Sequence, residues 1–147
     1  MANTSIYQLK NVDYSERGRT LEIIVDGVRK PQTVIFSGID CLGEKYYFTE
    51  QGLRYIQDSR HKRPWQTVVL NYLEKIPPIL KVPQLVARHL DRADHYLFCE
   101  RVAIAEYGNR KCLLGVLLIK ANINVVWNLY WLEGNKPPQA TEIIYQN

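Results

Sequence analysis

The pattern of hydrophobic and polar positions divides the chain into two halves of different character. In the first half, residues 1–60, a polar arm leads into "LEIIVDGVRKPQTVIFSGI". Residues 21–25 and 33–39 are β-rich, and the connection carries Asp26-Gly27, a strong turn signal, so the stretch predicts a β-hairpin. In "CLGEKYYFTEQGLRYIQDS" Thr49 is placed to cap a short helix over residues 50–58. Glu50 and Gln51 in its first turn suit the helix dipole, and Gly52 works against it.

The second half has the clearer period. "PWQTVVLNYLEKI" predicts an amphipathic α-helix with Pro64 at its first position. Trp65, Val68, Val69, Tyr72, Leu73 and Ile76 recur at three- and four-residue spacing, which predicts one buried face. Pro77-Pro78 is expected to stop that helix. "ILKVPQLVARHLDRAD" contains Pro83 and reads as a short helical turn and a loop. Three strands then follow, "HYLFCERVAIAEY", "RKCLLGVLLIK" and "INVVWNLYWLE", joined by Gly108-Asn109 and Ala121-Asn122. The expected architecture is α+β: amphipathic helices packed on an antiparallel sheet, with a C-terminal three-strand meander and an N-terminal hairpin. One domain spans residues 1–147, as arm and hairpin (1–48), helix-plus-sheet core (49–133) and C-terminal tail (134–147).

Composition narrows the class. A formal charge of +4 permits a polyanionic partner without demanding one. Ten tyrosines against three phenylalanines favour half-wet surfaces and binding sites. Cys41, Cys99 and Cys112 show no paired ligand spacing, which points to a reducing compartment and away from a disulfide scaffold or structural zinc. The N-terminus has no apolar core of a signal peptide, and no apolar run reaches the roughly 18 residues of a membrane span, so a cytoplasmic protein is expected. No phosphate-loop, dinucleotide-glycine or HExxH pattern is present, and neither a cofactor nor a metal is expected.

One resemblance has functional content. A basic "SRHKR" box (59–63), "VLNYLEKIPPILKVPQLV" (69–86), "CERVAIAEYGNRKCLLGVLLIK" (99–120) and "NVVWNLYWL" (124–132) resemble, in order, the phage-associated nuclease domains of the barnase, EndoU, colicin and RelE-like superfamily. The likeness covers about residues 50–133. It implies a metal-independent ribonuclease that cleaves RNA by attack of the 2′-hydroxyl. A toxin or mobile-element origin would suit such a domain, with RNA as the expected partner and a protein inhibitor or a second copy of the chain as the open alternatives. It departs from the pattern on the last strand, where Asn128 stands in place of a hydroxyl residue and Tyr130 alone matches. Arg54 is the one candidate for an upstream basic member of the box.

Transesterification of RNA needs a base for the 2′-hydroxyl, an acid for the leaving oxygen and cations for the phosphorane. His61 is the candidate acid or base, with Arg60 and Arg63 on phosphate and Lys62 and Arg54 as substrate contacts; a solvated turn is the plainer meaning. "ARHLDRADHY" clusters Arg88, His89, Arg92 and His95, and adds Arg88, His89 and Arg92 as substrate contacts, read on a helical turn where Arg88 and Arg92 share a side. Asp91 and Asp94 also allow a salt-bridged surface loop. Glu100 and Arg101 interrupt an apolar strand; the resemblance suggests a glutamate base, while cross-strand pairing is the plainer explanation. On the last strand Asn128 and Tyr130 fall on the polar side of an alternation and would position RNA. The alternative is a non-catalytic RNA- or protein-binding module on the same scaffold. A ligand-binding domain using the tyrosine-rich face is held in reserve, and the hairpin is free to cover a sheet edge or form a homodimer.

Overall fold

The computed structural model describes residues 6–138 and 141–147. It is an α+β structure built on one eight-stranded, mostly antiparallel sheet. The strands are β1 (Thr20–Val25), β2 (Val28–Ile39), β3 (Lys45–Thr49), β4 (Leu85–His89), β5 (His95–Ile104), β6 (Arg110–Lys120), β7 (Asn124–Trp131) and β8 (Thr141–Gln146). Their spatial order is β1-β2-β3-β7-β6-β5-β4-β8, with only the β3–β7 pair parallel. Asp26 and Gly27 between β1 and β2 both have positive φ, as a tight two-residue turn requires. No helix among the described residues is long and apolar enough to cross a membrane.

Helix α1 (Glu50–His61) starts where Thr49 Oγ1 accepts the Gly52 amide at 3.0 Å, and runs three residues past the expected end. Gly52 is there for space. A Cβ at this position would lie 2.4 Å from the carbonyl oxygen of Val126, so its absence lets α1 lie flush on β7.

The next segment departs from expectation. Pro64–Lys75 is a 3-10 helix rather than an α-helix, and Tyr72 breaks it with φ −125° and ψ 22°. Its buried residues are Gln66, Val69 and Tyr72, a three-residue repeat that follows the tighter turn. Trp65, expected in the core, is 53% exposed. Pro77-Pro78 does not stop a helix either. Both prolines sit in the first turn of α2 (Ile76–Lys81), where no intrahelical amide is needed.

The expected loop over residues 85–89 is strand β4, buried at Leu85, Val86 and Ala87 and paired with β5 on one side and β8 on the other. Arg88 and His89 are therefore strand neighbours on opposite faces, and the helical pairing of Arg88 with Arg92 does not exist. Two further strands, β3 and β8, form where no strand was expected.

The sheet has apolar contacts on both faces. Phe36, Phe48, Phe98, Leu114, Val116 and Val126 face the helices with Ile56, Val69, Ile76 and Leu80. Leu85, Ala87, Leu97, Cys99, Leu113 and Leu117 form a second cluster, joined by Tyr130. In β7 the register slips between Leu117 and Leu118, where Asn128 and Val126 are the respective partners and Trp127 is the extra residue. This bulge breaks the simple alternation expected there: Val126 and Leu129 both enter the helix-side core.

The Gly52 contact gives a prediction of sign. In an exposed helix Gly→Ala stabilises by up to about 1 kcal/mol. Here Gly52→Ala is expected to destabilise by about 1–3 kcal/mol through overpacking against β7, read as a lower denaturant midpoint.

Candidate functional site

The site begins with one glutamine. The carboxamide of Gln66 donates from Nε2 to the Trp131 carbonyl at 2.8 Å and accepts the Trp131 amide on Oε1 at 2.8 Å. It thereby occupies both backbone groups of the last residue of β7, as a neighbouring strand would. The same Oε1 accepts a third bond, from Arg60 Nη1 at 2.9 Å. Arg60, in the last turn of α1, is only 5% exposed. Its guanidinium carbon lies 5.5 Å from the centre of the Tyr130 ring. Among the described residues no carboxylate pairs with it, and its buried Nε has no hydrogen-bond partner. Burial, and Arg63 nearby, hold its pKa below the usual guanidinium value. A buried cation without a counter-ion is costly unless something else neutralises it.

Arg60 lines a groove of about 850 Å³. The chain brings three separate segments to it. The turn after α1 supplies Lys62 and Arg63; the β4–β5 region supplies His89, Asp91, Arg92 and His95; β7 supplies Asn128 and Tyr130. Lys136 and Glu133 complete its charged lining, giving five cationic side chains against two carboxylates.

Strand register explains the convergence. Arg88 faces Tyr96 across β4–β5, so His89 and His95 stand one step further along and on the same face. Their rings meet edge to face at a centroid distance of 5.8 Å. Leu97 pairs with Leu117, and Leu117 with Asn128, which puts Asn128 in the same row as Leu97, two strands and roughly 10 Å away. Asn128 uses its carboxamide oxygen to accept the Leu129 amide at 2.9 Å. Burial pushes the Tyr130 phenol up to about 12, so it stays neutral. Burial also lowers the His95 pKa; Arg92 and His89 act in the same direction and Asp94, 3.9 Å from Nε2, opposes them.

Seven residues singled out in the sequence thus line the groove: Arg60, Lys62, Arg63, His89, Arg92, Asn128 and Tyr130. Five others lie elsewhere. His61 and Arg54 are exposed on α1 and line no part of it. Arg88 is on the opposite face of β4, ion-paired with Glu142 of β8. Glu100 and Arg101 line a different groove, formed with the segment 10–13 and α2, and Glu100 Oε1 accepts the Arg101 amide at 2.8 Å. Five residues of strand, about 17 Å, separate Glu100 from His95.

Sequence reasoning missed the role of Gln66, whose signal was a lone amide on an apolar face. It grouped His95 with Arg88, His89 and Arg92 but named it neither as a catalytic residue nor as a substrate contact. Among the described residues no three His, Cys, Asp or Glu side chains gather as metal ligands. Comparison with protein family models, with curated proteins and with solved structures finds no match. The groove is therefore read from its own chemistry.

Two outcomes follow. Gln66→Ala removes three hydrogen bonds and strands Arg60; a loss of about 2–4 kcal/mol in unfolding free energy is expected by chemical denaturation. His95 has a folded-state pKa below its unfolded value. The unfolded chain takes up that proton first as pH falls, so the stability present above the unfolded pKa is lost as pH drops below about 6.5. Against His95→Gln, wild type should therefore lose more stability on acidification across that window, measured as denaturation midpoint against pH.

Proposed function

We propose that the groove binds RNA and cleaves it by attack of the 2′-hydroxyl on the adjacent phosphate, as a small metal-independent endoribonuclease. The observation that carries this reading is Arg60: a buried, carboxylate-free guanidinium on the wall of a groove whose other cations are Lys62, Arg63, Arg92 and Lys136. A phosphodiester supplies the negative charge that this lining lacks, and the exposed guanidinium groups of Arg63 and Arg92 can hold it through paired N–H donors. The order of the basic box, helical segment and strands, which resembles the barnase, EndoU, colicin and RelE-like nucleases, supports the same chemistry.

The acid–base pair is assigned to His95 and His89, which face each other in the groove, and not to His61. Burial favours neutral His95, the form that takes a proton from the 2′-hydroxyl. The 2′-oxygen then bonds to phosphorus, the P–O5′ bond breaks, and protonated His89 gives its proton to the departing 5′-oxygen. Arg92 and Arg63 neutralise charge on the phosphorane. Arg60, held by Gln66 and the Tyr130 ring, supplies a fixed positive field from the wall. A toxin or mobile-element context and a cytoplasmic setting belong to the same proposal.

A second reading has one observation in its favour. The oxygen of Asn128, which stands where the nuclease pattern has a hydroxyl, is already engaged by the backbone. That suits a module that binds RNA without cutting it.

The test is incubation of the purified protein with a mixed tRNA and mRNA pool in EDTA. Cleavage leaving 2′,3′-cyclic phosphate ends is expected, reduced at least about 100-fold in His95→Ala and near wild type in His61→Ala. Salt-sensitive RNA binding without cleavage would replace the enzyme with the binding module. Neither binding nor cleavage would refute both.

A further inference from the structure

Tyr55 of α1 is 43% exposed and lines the phosphate groove. It does not hang free. Its ring stacks on Trp127 with centroids 5.1 Å apart and planes 25° from parallel. Trp127 is the extra residue of the β7 bulge, one position before Asn128, and is anchored in a small cluster with Ile23, Ile119 and Val125. The bulge thus places an indole under Tyr55 and an amide toward the groove from consecutive residues. An aromatic ring fixed in this way has little rotamer freedom left to lose on binding. It is adjacent to Ser59 and Arg60 along the groove wall.

We infer that Tyr55, backed by Trp127, is a nucleobase subsite, and that the groove takes single-stranded RNA with an unpaired base stacked on the Tyr55 ring. This rests on the phosphate-groove reading above. A paired base in a duplex keeps its faces within the helical stack and cannot offer one to a ring, whereas a splayed single-stranded base can. The phosphates follow the cations and the base turns to the aromatic pair. Stacking tolerates all four bases, so the subsite selects for strandedness and not for sequence.

The experiment measures binding of short 2′-O-methyl RNA oligonucleotides, which cannot be cleaved by 2′-hydroxyl attack, by fluorescence anisotropy at low salt. An abasic oligonucleotide of equal phosphate count is the comparison. Tyr55→Leu, which keeps an apolar side chain against Trp127, should weaken binding of the base-bearing strand about tenfold and leave the abasic strand unchanged. Tyr55→Phe should bind both as wild type does. If Tyr55→Leu binds the base-bearing strand normally, or weakens both strands alike, the subsite is refuted while the groove stands. If wild type binds neither strand, the phosphate groove fails and the subsite with it.

Discussion

The three-way bond at Gln66 joins the end of β7 to the one buried arginine among the described residues. β7 pairs with β3 near its start, at Tyr47 opposite Val125, and the chain of β3 then leaves to become α1. The far end of β7 is left without that neighbour. Gln66 closes it by satisfying both backbone groups of Trp131, and the same oxygen fixes Arg60. One side chain thus ends the strand, ties the 3-10 segment to the sheet and holds a buried cation beside Tyr130. Satisfying buried polar groups and building a charged groove are here a single interaction.

The same device recurs where the sheet would otherwise present an open edge. Asn122, in the turn between β6 and β7, donates to the Glu22 carbonyl and accepts the Ile24 amide, both at 2.8 Å, on the outer side of β1. Asn135 works through its oxygen alone, accepting the Leu113 amide just beyond the end of β7 together with the Trp131 indole N–H. Carboxamides copy the donor and acceptor of a strand, so they close edges that would otherwise template association. The β1–β2 hairpin is thereby folded back on the sheet through the Ile23, Ile119 and Val125 cluster. The groove runs past Leu117 of β6 and Asn128 of β7 and is bordered by charge from the end of α1, the β4–β5 turn and the segment after β7.

Local chemistry was legible in the sequence where short-range signals dominate. The Asp26-Gly27 turn, the Thr49 cap and the long apolar runs of β5 and β6 all announce themselves. Three features were not. The 3-10 segment carries an apolar pattern that an α-helix fits equally, and only the burial of Gln66 with Val69 and Tyr72 reveals the tighter repeat. β4 is short and follows Pro83, so local signals read as loop; its pairing with β5 and β8 makes it a strand. The β7 bulge shifts side chains by one position through register alone, which no alternation rule anticipates. For the site, residue types were visible but their grouping was not. His61 and Arg60 are adjacent in sequence, yet one is exposed and the other buried, because the last turn of α1 presents them to different surroundings. His95 joins the basic box only through the strand register.

The chain has three histidines, of which two line the groove and one does not. Imidazole resonances of His61, His89 and His95 can be followed by NMR while an uncleavable 2′-O-methyl RNA is added at low salt. His89 and His95 are expected to shift together, His61 to stay put, and the shifts to fade as salt is raised. A shift confined to His61, or none at all, would contradict a phosphate-binding groove at this place.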